Sequence, residues 1–94
     1  IKPMIIGRLS ESLAIINLGN KNNIKSVITT TLGTEIEKQA CIHLAFAGGI
    51  KLANGLSANS LLENDIIANP VQNSIINKPK EIGLNINIDK IPYQ

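Results

Sequence analysis

The stretch VITTTLGTEIEK, residues 27–38, contains the pattern on which the fold prediction depends. Its first half is rich in β-branched residues and includes three consecutive threonines, and such side chains are enriched in strands. Its second half includes Thr34 to Glu37, which matches the capping box S/T-x-x-E at the first turn of a helix. The stretch therefore predicts a strand over residues 24–31, followed directly by a helix from Thr34 to about Ala47.

Upstream of this stretch, the sequence predicts another strand and another helix. The apolar run Ile1–Ile6 is short and continuous, as in strands that are buried on both faces of a parallel sheet. Pro3 must then lie where no ladder hydrogen bond is needed. Ser10 is a favourable N-cap and the Gly/Asn-rich residues 19–23 are a stop signal, so we expect a helix between them.

Downstream, weaker signals continue the alternation. They predict a very short strand, a short helix and an edge strand or hairpin, at residues 51–54, 61–67 and 83–89, the last paired with residues 73–76. Strands that alternate with helices indicate βαβ units and a parallel sheet. Because three parallel strands in 94 residues would leave both outer edges open, we expect the chain to be part of a larger sheet or barrel.

Composition argues against several classes of protein. Hydrophobic residues make up 44% of the chain and aromatic residues 2%, so the predicted core is aliphatic. The formal net charge is +2 and the basic residues are spread along the chain, which argues against nucleic acid as a partner. The single cysteine, Cys41, excludes an internal disulfide. The sequence contains no apolar run of about 18 residues, the length that a membrane span needs, so no membrane partner is expected.

Candidate functional residues follow from the barrel hypothesis, because side chains at the carboxyl ends of barrel strands carry function. These positions are Lys2, Thr29–Thr31, Asn54 and Gly55. If the first strand begins upstream of Ile1, Lys2 lies at its end. From the residues alone, a solvated lysine is favoured over an active-site cation for Lys2, and β propensity is favoured as the explanation of the threonines.

Other motifs that carry chemistry are missing from the sequence. His43 has no second His or Cys at metal-ligand spacing, so we expect no metal site in this chain. Cys41 is expected to be a small buried hydrophobic residue. There is no P-loop, dinucleotide-binding fingerprint or nucleophile elbow, and the residues by themselves do not identify a reaction.

Four segments in order resemble o-succinylbenzoate synthases, which are muconate-lactonizing-enzyme-like members of the enolase superfamily. These segments are IKPMIIGRL, VITTTLGTEIE, LANGLSAN and GLNINID, which begin at residues 1, 27, 52 and 83. The resemblance implies an α/β fold, the C-terminal portion (about strands six to eight) of a TIM-like (β/α)7β barrel with a C-terminal β tail. Residues 1–70 would be its last βα units, and residues 71–94 would pack toward a capping domain.

The resemblance also implies an activity, the Mg²⁺-dependent dehydration that gives o-succinylbenzoate in menaquinone or phylloquinone biosynthesis. Lys2 matches the family's second active-site lysine, whose implied role is a cation against the enediolate. Thr29, Thr30 and Thr31 match a serine-rich run near the substrate, and Gly55 matches a glycine that permits close approach of a ligand. The Mg²⁺ ligands and the proton-abstracting lysine are expected upstream, in the rest of the same barrel, so the chain alone should be inactive.

Three positions depart from the family pattern. Gly33 stands where the family has a glutamate, Glu35 replaces a serine, and Glu37 stands where a small residue is usual. The capping box explains Glu37 locally without showing that the pocket is kept.

Two alternatives to the dehydratase remain open. One is an N-succinylamino acid racemase or epimerase of the same superfamily, in which a lysine at the position of Lys2 is an acid/base. Residues 53–55 lack the Asp-x-Asp that the epimerases usually carry. The other is a non-catalytic α/β fragment. An enzyme of this superfamily would take a small-molecule carboxylate, in a bacterial cytosol or a plastid stroma.

Overall fold

The computed structural model describes residues 1–56, 71–84, 86 and 89. These residues contain three helices, α1 (Pro3–Ile6), α2 (Leu9–Lys21) and α3 (Glu35–Ala47). They contain no β-strand, and their β pairing is limited to two isolated bridges, Thr29–Gly55 and Gln72–Ile75. The predicted partial barrel of strands six to eight with a β tail is therefore wrong. The described part of the chain is a small, compact globule of three helices.

The first segment, predicted as a strand over Ile1–Ile6, is instead a single helical turn. Lys2 is extended, with φ −116° and ψ 96°, and is the N-cap of α1. Proline favours an extended residue before it, and its fixed φ suits the first helical position, where no N–H donor is needed. Gly7 ends the turn at φ 96°, in the left-handed region, and its N–H donates to Pro3 O over 2.9 Å. Pro3 and Gly7 thus make the apolar run helical.

Helix α2 confirms the predicted helix, with a different start. Its N-cap is Arg8, and Ser10 lies inside the first turn. The Ser12 hydroxyl donates to Arg8 O over 3.0 Å. The helix ends at Lys21, within the Gly/Asn-rich stop, and the chain then turns through Asn23 at φ 58°.

Helix α3 confirms the helix predicted after Thr34 and ends before Gly48, as expected. It packs against α2 and against the segments around Ile28 and Leu56, which come before and after it in the sequence. Its buried residues are Glu35, Glu37, Lys38, Cys41, Ile42, Leu44 and Ala45.

The threonine-rich segment, predicted as a strand over residues 24–31, makes only short β-like contacts, with Ile1 on one side and with Gly55 on the other. Ile28 O accepts from Gly55 N over 2.9 Å, and Thr30 N donates to Gly55 O over 3.0 Å. The pairing stops because the next backbone N–H groups donate to side chains instead of to a neighbouring strand. Ile28 N–H donates to Asn54 Oδ1, and Thr31 N–H donates to Glu37 Oε1. The strand predicted at 51–54 is also wrong, because the bridge to the threonine-rich segment is made by Gly55 alone.

The tail contains a tight turn where longer β pairing was predicted. Gln72 and Ile75 exchange two backbone hydrogen bonds, of 3.0 and 2.9 Å, around Asn73 and Ser74. Both central residues have positive φ, 50° and 61°, which is typical of a type I′ turn. The predicted helix at 61–67 and residues 85, 87 and 88 of the predicted edge strand lie outside the described residues.

The core is aliphatic, as the composition predicts. The buried hydrophobic residues of the described chain are Ile16, Ile28, Cys41, Ile42, Leu44, Ala45 and Leu56. They come from α2, from α3 and from the two segments that meet at the Thr29–Gly55 bridge, so the core holds this bridge against α3. Within the described ranges, no helix combines the length and apolar character needed to cross a bilayer.

Candidate functional site

The structure brings the predicted site residues together from three separate segments. Thr29 N donates to Ile1 O over 3.0 Å, so the segment that carries Lys2 lies beside the threonines. On the other side, Thr29 forms the parallel bridge with Gly55. We call Lys2, Thr29–Thr31, Glu37 and Gly55 the threonine junction.

Lys2 is exposed overall, yet its ammonium is anchored to the threonine junction. Nζ donates a hydrogen bond to the backbone carbonyl of Thr30 over 3.0 Å. The extended conformation that Pro3 favours at Lys2 places the side chain toward the threonines, and α1 then leads the chain away. Since an ammonium carries three donors, this bond uses one of them.

The three threonines have different surroundings. Thr29 packs its methyl group against Gly55, where an added Cβ would lie 2.9 Å from Thr29 Cγ2. Thr30 is buried, and its hydroxyl donates to Gly55 O over 3.4 Å. The Thr31 hydroxyl donates to Glu37. Thr30 and Thr31 therefore use their hydroxyls within the chain, and Gly55 is needed for its close approach to Thr29.

Glu37 is the member of the junction that the sequence prediction missed. Its Oε1 accepts from Thr31 N over 2.7 Å and from Thr31 Oγ1 over 2.8 Å, and its Oε2 lies 2.9 Å from the same hydroxyl. The predicted capping box is therefore wrong in detail, since α3 begins after Thr34 but the Thr34 side chain makes no capping bond. The Glu37 carboxylate instead binds the end of the threonine segment.

A signal for this role of Glu37 was present in the sequence at Gly33, four residues before it. A Cβ at Gly33 would overlap the Glu37 carboxylate, so the glycine provides the space that the glutamate fills. Gly33 and Glu37 are thus complementary in size: the missing side chain of one leaves room for the long side chain of the other.

The Glu37 carboxylate also acts on Cys41, one helical turn further along α3. Burial raises the pKa of the Cys41 thiol from 9.0 to about 11, and the negative charge of Glu37 adds to the shift. The thiol is 1% exposed and borders a cavity of about 190 Å³ between α1, the start of α2 and α3. A thiol with this pKa is protonated at neutral pH.

The raised pKa of the Cys41 thiol predicts that the protein loses stability at alkaline pH. Between pH 9 and 11 the unfolded chain gives up the Cys41 proton before the folded chain does, so the free energy of unfolding falls as the pH rises. The loss contributed by this group is about 2 to 3 kcal/mol. Urea unfolding across this range measures it, with Cys41→Ala as the control that should remove this part of the slope. Equal slopes for the two proteins would contradict the prediction.

A second unpredicted feature is a buried ion pair at the start of α3. Lys38 Nζ lies 3.3 Å from Glu35 Oε2, and the two side chains are 0% and 1% exposed. The sequence prediction had assigned Glu35 to the capping box. The pair belongs to the interior of the globule.

Two larger cavities lie away from the junction and give no chemical site. One, of about 260 Å³, is lined mainly by aliphatic residues of α3 and its following loop. The other, also about 260 Å³, has Lys25 and Lys51 in its lining. Both lysines are exposed, as lysines usually are.

The described residues do not fit the Mg²⁺ ion that the resemblance implies. Within them, no group of three or more His, Cys, Asp or Glu side chains is placed to hold a metal ion. The prediction that the Mg²⁺ ligands lie elsewhere stays a prediction.

Comparisons of the chain with protein-family models, with curated proteins and with solved structures found no match. The residues of the threonine junction themselves are therefore the basis for assigning a function.

Proposed function

We propose that the chain provides the cationic part of an o-succinylbenzoate synthase-type site, with a small-molecule carboxylate as substrate. Lys2 is the catalytic residue, and its ammonium stabilises the negative charge that develops on the substrate carboxylate as the α-proton leaves. The proton-abstracting lysine and the Mg²⁺ ligands belong to polypeptide upstream of these residues.

One observation supports this proposal most directly. Three sequence segments that resemble separate parts of the family's active site meet in space, with Lys2 Nζ 3.0 Å from Thr30 O and Thr30 N 3.0 Å from Gly55 O. These residues are more than 50 positions apart at the extremes. A resemblance based on sequence order alone would not require such proximity.

The chemistry of the junction fits a preorganised cation. A charge that is held in place before the reaction stabilises a transition state without reorganising at that moment. The bond to Thr30 O holds the Lys2 ammonium and leaves its other donors available to an anionic group. Thr30 and Thr31, whose hydroxyls bind inside the chain, support the site, and Gly55 allows the close packing that aligns it.

The test is the dehydration of the cyclohexadiene carboxylate by the protein expressed from its complete reading frame. Lys2→Ala should lower kcat about 10²–10³-fold, the effect of losing one preorganised donor at a developing charge. Mg²⁺ binding should be nearly unchanged, because a cationic side chain such as that of Lys2 is not a ligand of the metal ion. Absorbance of the o-succinylbenzoate product measures the rate.

Lys25→Ala is the matched control, since Lys25 is also exposed but lies outside the junction, and it should leave kcat unchanged. Wild-type turnover by Lys2→Ala would refute the assigned role. Racemisation of an N-succinylamino acid without dehydration, or no turnover of either substrate by the unmodified protein, would also overturn the proposal.

A further inference from the structure

One peptide group of the threonine junction lies between a cation and an anion. The carbonyl of the Thr30–Thr31 peptide accepts from Lys2 Nζ over 3.0 Å, and the N–H of the same peptide donates to Glu37 Oε1 over 2.7 Å. Because a peptide group is planar, its C=O and N–H turn together. The position of Glu37 therefore determines where the carbonyl bound by Lys2 points.

Glu37 is the rigid end of this arrangement. Its side chain is buried in the first turn of α3, and both carboxylate oxygens contact Thr31. Gly33 leaves the space that the carboxylate occupies. Lys2, in contrast, is an exposed side chain with four rotatable bonds in front of a single helical turn.

The charges of Glu37 and Lys2 strengthen the link through the Thr30–Thr31 peptide group, in addition to its geometry. A hydrogen bond to an ionised group is stronger than one between neutral groups, and linked hydrogen bonds polarise one another. A carboxylate on the N–H side makes the carbonyl oxygen of the same peptide a better acceptor for the ammonium.

We propose that Glu37 is a positioning residue that holds the Lys2 ammonium in place through the Thr30–Thr31 peptide group. Its catalytic consequence rests on the proposed function, whereas its structural consequence does not. Glu37 presets the cation before substrate binds, and α3 provides the rigidity for this.

The experiment follows the Lys2 ammonium by NMR in the 94-residue chain labelled with ¹⁵N at lysine, at low temperature and mildly acidic pH. Glu37→Gln keeps the size of the side chain and removes its charge. We expect exchange of the Lys2 ammonium protons with water to become about fivefold faster, as for the loss of one typical hydrogen bond. The exposed Lys25 and Lys51 should not change.

Glu37→Asp is the second variant, because it keeps the charge and shortens the reach to Thr31. It should also release the ammonium, so either variant decides the matter if the other does not fold. A fall in the pKa of Cys41 from about 11 in Glu37→Gln verifies that the charge has been removed. An unchanged Lys2 signal together with that fall would overturn the inference.

Activity separates this inference from the proposed function. If dehydration is present, Glu37→Gln should lower kcat about fivefold with little change in KM, since substrate still meets a cation that is less well held. If dehydration is absent from the unmodified protein but the Lys2 signal responds, the positioning role stands and the proposed function fails.

Discussion

Replacing Lys38 by Met, with Glu35 unchanged, should lower the free energy of unfolding by about 3–5 kcal/mol. The reason is burial: Lys38 and Glu35 are 0% and 1% exposed, and their charged groups lie 3.3 Å apart. Met fills a similar volume, so the loss comes mainly from leaving the Glu35 carboxylate in the interior without this cation. Urea unfolding of the two proteins at pH 7 measures the difference.

The chain contains a matched control for this prediction. Arg8 and Glu11 form an ion pair with the same i, i+3 spacing at the start of α2, but they are 3.9 Å apart and 76% and 55% exposed. Arg8→Met should cost less than about 1 kcal/mol, because solvent screens an exposed pair. Equal costs for Arg8→Met and Lys38→Met would show that burial does not determine the effect.

The double variant Glu35→Leu with Lys38→Met separates the energy of the ion pair from the cost of leaving one charge buried alone. Removing both charges should recover most of the stability that Lys38→Met loses, since a buried pair is often replaceable by apolar residues at little net cost. A coupling energy near zero in the double-mutant cycle would contradict this account.

Ile16→Ala is the second large prediction and should cost about 2–5 kcal/mol. Ile16 is fully buried, in the middle of α2, and its methyl groups lie against Gly48 at the end of α3. Truncation leaves a cavity between the two helices that the aliphatic core can only partly close. Thermal and urea unfolding both report the loss.

Gly48 makes this contact testable from the other side. An added Cβ would lie 2.9 Å from Ile16 Cγ2, so Gly48→Ala alone should destabilise by about 1–3 kcal/mol through overpacking. In the Ile16→Ala background the same change should be neutral or stabilising, because the methyl group enters the cavity and Gly48 has ordinary helical angles. Additive effects would show that α2 and α3 do not meet at this point.

Helices α2 and α3 were predictable from sequence because their signals are local. Periodicity within α2, a Gly/Asn-rich stop and the Thr34 start each depend on residues within a few positions of one another. The predicted strands failed because a strand needs a partner. Residues 24–31 have β propensity, but Asn54 and Glu37 side chains take backbone donors that a ladder would have used.

For the candidate site, sequence order pointed to Lys2, the threonines and Gly55, and the structure places them side by side. Glu37 was missed because the capping box offered a sufficient local explanation for it. Its real partner, Thr31, is six residues away and outside the helix.

By itself, the sequence determined two helices, the aliphatic core and a lysine held extended by the following proline, since these follow from neighbouring residues and composition. Tertiary structure alone decided that the threonine segment ends on Glu37, that Lys38 is buried with Glu35, and that Lys2 reaches Thr30. The physical reason is that a hydrogen bond or an ion pair between distant segments depends on how the helices pack, which no local pattern of residues specifies.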